Sequence, residues 1–104
     1  LYTPWVDWGD LAYPAQGGRW QLQRHIYMRP FYYIDYTLAL SCALQLWLRA
    51  ERDFEGTMET YVELCERGGS APFGELVARA ELDSPFEPGS LEGVIARAED
   101  ELDL

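Results

Sequence analysis

Between Tyr36 and Leu48 the chain offers only three polar side chains, Thr37, Ser41 and Gln45, each four residues from the next. At 3.6 residues per turn that spacing draws one slowly drifting stripe along a helix, and a step either way extends it to Tyr33 and Arg49. Every other face of the segment is apolar, as in a helix enclosed on nearly all sides. Such a helix needs neighbours all round, and 104 residues leave room for few of them. The apolar run is interrupted by Asp35 and falls short of the roughly 20 residues of a membrane span, so no membrane role is expected.

The surrounding pattern supplies the rest of an all-α fold. Residues 1–18 carry Pro4, Gly9, Pro14, Gly17 and Gly18 among Trp5, Trp8 and Tyr13. They show neither helical nor strand period and read as an ordered aromatic loop. Arg19 to Met28 allows a short helix that stops ahead of Pro30, because the residue before proline avoids the α region. Pro30 suits the first turn of the long helix, which runs without a breaker to about Arg52. Asp53 is placed to cap a helix with the stripe Phe54, Met58, Tyr61 and Cys65, ended by Gly68-Gly69. Ser70 and Pro72 open the next, with Phe73, Leu76, Val77 and Ala80 on one face. After the break Pro85-Phe86-Glu87-Pro88-Gly89, Ser90 is set to cap a last helix with Leu91, Val94, Ile95, Ala98 and Leu102 inward. The expectation is four to five helices in one segment over 1–104, an aromatic loop over 1–18 and helical chain over 19–104. One long, nearly fully apolar helix is packed by short amphipathic ones. Three short helices cover only part of it, which predicts burial against further chain or against a second copy.

Charge narrows the partners. Acids outnumber bases 18 to 8, for a net charge of −10, and every base is Arg. Phosphate-backbone binding needs clustered cations, so nucleic acid is not expected. The excess is concentrated in Glu81–Leu104, where eight acids face Arg97 alone. Cys42 and Cys65 form neither a disulfide framework nor a metal motif. Both fall at apolar helical positions, as buried free thiols compatible with a reducing cytoplasm. The sequence opens on Leu1-Tyr2-Thr3-Pro4-Trp5 with no initiator Met and no basic leader, which suggests a piece of a longer protein.

A single histidine, His25, excludes a multi-histidine metal site within the chain, and no phosphate loop, nucleophile elbow or dinucleotide fingerprint is present. The acids Glu99, Asp100, Glu101 and Asp103 read as a solvated helix end without calcium-loop spacing. One constellation stands out, His25-Ile26-Tyr27-Met28-Arg29-Pro30-Phe31-Tyr32-Tyr33-Ile34-Asp35-Tyr36. On the expected helix Tyr33 and Tyr36 are i,i+3 neighbours, and Tyr32 and Tyr36 are i,i+4. Phenol hydroxyls in a low-dielectric cleft are good donors to a developing oxyanion, and an imidazole N–H can join them. Tyrosines at a helix start also serve as plain core packing, so these residue types alone leave both readings open.

The run His25-Ile-Tyr-x-x-Pro-Phe-Tyr-Tyr-Ile-Asp-Tyr-Thr-Leu-Ala39 resembles the C-terminal signature of oligoendopeptidase F-type enzymes, and of Pz-peptidase-like members in particular. These belong with the thimet oligopeptidase-related zinc metallopeptidases. The likeness continues through Ala43-Leu-Gln-Leu-Trp47, Tyr61-x-x-Leu-Cys65-x-x-Gly68-Gly69, Pro72-Phe73-x-Glu-Leu76 and Ser84-Pro85-Phe86-Glu87-x-Gly89. Upstream, Leu1-Tyr-x-Pro-Trp-x-Asp-Trp8 and Gly17-Gly18-Arg19-Trp20 join it. The resemblance implies the C-terminal portion of a larger, almost wholly helical peptidase with a deep cleft that cuts short peptides. Zinc in such enzymes sits on a His-Glu-x-x-His helix plus a downstream Glu, with the motif's Glu as general base. None of these residues is in this chain, so the parent would hold the zinc and this chain alone would be inactive. Carried across, His25 binds the substrate backbone near the scissile bond. Tyr36 is the main oxyanion donor, and Tyr33 a second donor or substrate contact. Tyr32 replaces one of them if the register differs by one, and Asp35 orients a phenol or an Arg. Leu40 departs from the pattern, which has a Gln there.

A reading from another class is a free-standing, acidic, non-catalytic helical interaction module that keeps this scaffold. A homodimer paired through the long helix is compatible with either.

Overall fold

The computed structural model describes residues 5–101, and among them the chain is all-α, with no strand. Leu1 to Pro4 of the aromatic loop, Leu102 of the last apolar stripe and Asp103 of the acidic run lie outside the described residues. Six helices follow in order. They are α1 (Ala12–Ala15), α2 (Arg24–Met28), α3 (Ile34–Ala50), α4 (Phe54–Arg67), α5 (Phe73–Arg79) and α6 (Glu92–Glu101), with a 3-10 turn over Gly18–Leu22 ahead of α2. The chain divides into two compact units, one ending at Asp35 and one beginning at Tyr36.

Rings organise the first unit. The Arg19 guanidinium lies 5.1 Å from the Trp8 ring centre, and Trp20 stacks on Tyr27 at 6.3 Å. The Tyr13 hydroxyl donates to the Gln21 side chain. Gly18 packs so closely under the Tyr13 ring that a Cβ there would stand 2.6 Å from it, which excludes any larger residue without movement. A single helical turn, α1, interrupts the segment read as a loop.

The long helix starts later than its sequence implies. Pro30 does not open it, because Phe31 takes φ = 69° and no helix passes through that conformation. Tyr32 N donates to Arg29 O at 3.2 Å, so residues 29–32 close a β-turn with Pro at its second position and the left-handed residue at its third. Tyr32 and Tyr33 therefore precede α3 and do not form its first turn.

In the second unit α3 docks by its polar stripe. Ser41 is buried, its hydroxyl donating to Thr37 O at 2.8 Å. The Gln45 amide donates to Asp83 O at 3.0 Å and accepts from Asp83 N at 2.8 Å. Arg49 Nη1 donates to Ala80 O at 3.2 Å. The apolar side of α3 remains open: Ile34, Tyr36, Leu40 and Trp47 are exposed.

The same division recurs on α4. Asp53 caps it as expected, accepting from Gly56 N at 3.0 Å, and Gly68 ends it with φ = 50°. Yet the inner face is made of Thr57, Thr60 and Leu64, not of the predicted stripe. The hydroxyls of Thr57 and Thr60 are satisfied within the helix by Asp53 O and Gly56 O, so these small residues pack closely without outside partners. Phe54, Met58, Tyr61 and Cys65 are exposed, which corrects the expectation of a buried Cys65 thiol. Cys42 is half-buried, and that burial pushes its thiol pKa up.

Helix α5 carries part of the expected inner face: Val77 and Ala80 are buried and Leu76 half-buried, whereas Phe73 is exposed. Its end is a Schellman motif: Leu82 N donates to Val77 O and Glu81 N to Ala78 O, both at 3.1 Å, with Glu81 at φ = 54°. Edge-to-face contact between Phe73 and Phe86 ties the following turn to α5. Helix α6 begins at Glu92, two residues past Ser90, and it is Leu91 O that accepts its first bond, from Ile95 N. Val94 is buried, whereas Ile95 is exposed. Arg97 joins α6 to the end of α3. It pairs with Glu51 at 2.9 Å, lies over the Trp47 ring at 5.9 Å, and pairs with Glu101 at 2.7 Å.

Candidate functional site

The His/Tyr constellation is divided by the fold. In the first unit, α2 carries His25 and the β-turn carries Tyr32 and Tyr33 back along it. The His25 and Tyr33 rings meet at 5.5 Å between centres, tilted by 41°. Both side chains are half-buried, so the pair sits at a surface able to meet a ligand. Tyr32 is exposed, with the Arg29 guanidinium 5.9 Å from its ring centre. Asp35 N donates to Tyr32 O at 3.1 Å. The Asp35 side chain is exposed.

Tyr36 belongs to the second unit, in the first turn of α3, and 52% of it is exposed. Its helical neighbours on the same side are Leu40, 58% exposed, and one further turn on, Ala43. Because Tyr33 is outside the helix, the i,i+3 relation expected of Tyr33 and Tyr36 is not a helical one. The positive φ at Phe31 keeps Tyr32 and Tyr33, which follow it, out of the helix, a feature no residue pattern announces, since glycine is the usual occupant of such a position.

A cleft of about 270 Å³ lies elsewhere in the second unit, lined among others by Gln45, Arg49, Arg52, Asp83 and Ser90. None of His25, Tyr32, Tyr33 and Tyr36 lines it. No group of three or more His, Cys, Asp or Glu able to hold a metal ion occurs among the described residues. The residues present therefore do not fit a metal site, and no chemical step is assigned through one. No described helix is long and apolar enough to cross a membrane.

The fold has counterparts among solved structures. One of an oligoendopeptidase F is 51% identical with a TM-score of 0.83, covering 98% of this chain and 18% of that one. Pz peptidase A, solved with an inhibitor, is 46% identical with a TM-score of 0.82 over the same shares. An oligoendopeptidase F from Bacillus anthracis str. Ames is 42% identical with a TM-score of 0.68, covering 91% of this chain and 18% of its own. The chain thus spans less than a fifth of the length of these relatives. No family model matches it, and no curated protein does.

Proposed function

The chain belongs to the family of these oligoendopeptidase F and Pz peptidase structures, and on that premise we propose that it is the C-terminal, substrate-binding segment of a zinc oligoendopeptidase that hydrolyses short peptides. The observation that carries the reading is the identity of 51% over 98% of the chain. That stretch includes the His25–Tyr36 run. The exposed apolar sides of α3 and α4 support it too, as surfaces that a much longer chain would cover.

The roles follow from chemistry and placement. Tyr36, half-exposed in the first turn of α3, donates to the carbonyl oxygen as it gains negative charge. A donor aimed at a developing oxyanion contributes about 3–4 kcal/mol, because in a water-excluded site it needs no reorganisation during the reaction. His25 holds the peptide backbone through an imidazole N–H. Tyr33, against the His25 ring, is the second donor or substrate contact, and Tyr32 a further contact at the exposed edge. Zinc, as the resemblance implies, would be held by residues beyond these 104, where it would act as the Lewis acid that activates water for peptide-bond hydrolysis. The chain alone is inactive. Its free thiols fit a reducing, cytoplasmic setting.

In the intact gene product Tyr36→Phe is expected to lower kcat by about 100- to 1000-fold with zinc content and thermal stability unchanged. Full activity in that variant would remove the oxyanion role. His25→Ala is expected to reduce kcat/KM strongly while the protein stays folded. An unfolded product would make His25 a packing residue.

A further inference from the structure

The cleft of about 270 Å³ in the second unit has a lining that the roles of His25 and the tyrosines leave without a task. It meets α3 at Gln45 and Arg49. At about 100° per residue, these lie on the opposite side of the helix from Tyr36, Leu40 and Trp47, the exposed apolar side that further chain would cover. Four charged residues line the cleft, Arg49 and Arg52 from the end of α3 and Glu81 and Asp83 from the segment between α5 and α6. None of the ion pairs among the described residues involves any of the four, so opposite charges share the cleft without pairing. Two of them are anchored. Arg49 Nη1 donates to Ala80 O, and the Asp83 backbone is held from both sides by the Gln45 amide. Half-buried Leu48 and Leu82 and buried Val94 supply an apolar part of the lining.

We propose that this cleft binds a free α-amino acid with an aliphatic side chain, at a site separate from the His25–Tyr36 run and independent of the roles given to it. A plain anion here would face Glu81 and Asp83, and a plain cation would face Arg49 and Arg52. Like charges brought together away from bulk water repel more strongly than in it, so neither ligand fits the whole lining. A zwitterion meets both sets at once. Its carboxylate takes the Arg52 guanidinium, whose fork matches two carboxylate oxygens, with Arg49 beside it. Its ammonium takes the Asp83 carboxylate, and its aliphatic side chain leaves water for Leu48, Leu82 and Val94. The size agrees, since pockets for drug-sized ligands measure about 300–1,000 Å³ and this cleft falls just below that range.

The test is isothermal titration calorimetry of leucine into the full-length gene product. One saturable site is expected. N-acetyl-leucine, which lacks the ammonium, and leucinamide, which lacks the carboxylate, should each bind at least about tenfold more weakly. Arg52→Ala and Asp83→Asn should each weaken leucine by a similar factor while the Tm stays native. The absence of a saturable site, as when further chain closes the cleft, overturns the proposal. Leucine that binds both variants as tightly as the native protein sits elsewhere, which overturns it too. Equal binding of N-acetyl-leucine or leucinamide would make the ligand a plain anion or cation and remove the zwitterion. If a variant does not fold, Arg52→Gln or Asp83→Ala is read in its place. Failure of all four to fold makes these side chains structural and ends the proposal.

Discussion

Phe31 and Glu81 are the residues other than glycine with positive φ among those described, at 69° and 54°. Left-handed backbone costs a residue with a Cβ about 1–2 kcal/mol, and the surroundings must impose it. At Phe31 the imposition comes from Pro30 and the Tyr32–Arg29 bond, and it leaves the ring 95% exposed directly ahead of the tyrosines of the candidate site. At Glu81 it comes from the two bonds that close α5, and no role in chemistry attaches to the residue. Glu81→Gly in the intact protein is therefore expected to raise stability by about 0.5–1 kcal/mol in chemical denaturation. Glu81→Ala, which keeps a Cβ, should give no such gain, and equal effects of the two would show that backbone strain is not what Glu81 bears.

At the scale of elements, Gln45 decides how α3 sits. Its amide pairs both ways with the backbone of Asp83, 38 residues on, as a neighbouring strand would. Each such bond contributes about 0.5–1.5 kcal/mol net, so Gln45→Ala is expected to cost about 1–3 kcal/mol and to speed hydrogen exchange at the Asp83 amide. Exchange there as slow as in the native chain would mean that the pairing adds nothing. The helices themselves were readable from caps and breakers, as Asp53 and Gly68 show. The polar stripe of α3 was readable too, but not its task. A stripe of Thr, Ser and Gln at helical spacing looks like the least buried side of a helix, and here it is the side that docks, because side-chain amides and hydroxyls reach backbone groups that aliphatic residues leave unpaired. On α4 hydrophobicity points the large apolar residues inward, whereas threonines whose hydroxyls bond their own helix permit the closer approach. The candidate site was legible as a set of residues. Its partition between two units was not, since the boundary falls between Asp35 and Tyr36, inside the first turn of α3, where no breaker marks it.

For the whole molecule, the buried apolar side chains among the described residues are Val77, Ala80 and Val94, all in the second unit. That is a thin core for 104 residues, while Leu40 and Trp47 on α3 and Phe54, Met58 and Tyr61 on α4 stay exposed. Expressed alone, the chain is expected to bind an apolar dye such as anilinonaphthalene sulfonate and to show no peptidase activity with or without added zinc. The native gene product is expected to weigh several times 12.0 kDa and to carry one zinc by native mass spectrometry. A metal-free product of about this mass would leave a non-catalytic helical module, and dimers of it would place the apolar sides between two copies. The two-sided build of α3 has one more consequence, for quality control in the cell. With its polar side engaged by Gln45, the helix displays an apolar stripe until the rest of the protein closes over it, and such a stripe is what chaperones and degradative proteases recognise. Mutations along Tyr36, Leu40 and Trp47 would then change how much enzyme accumulates as well as how it works, so abundance has to be measured beside rate before any of them is read as catalytic.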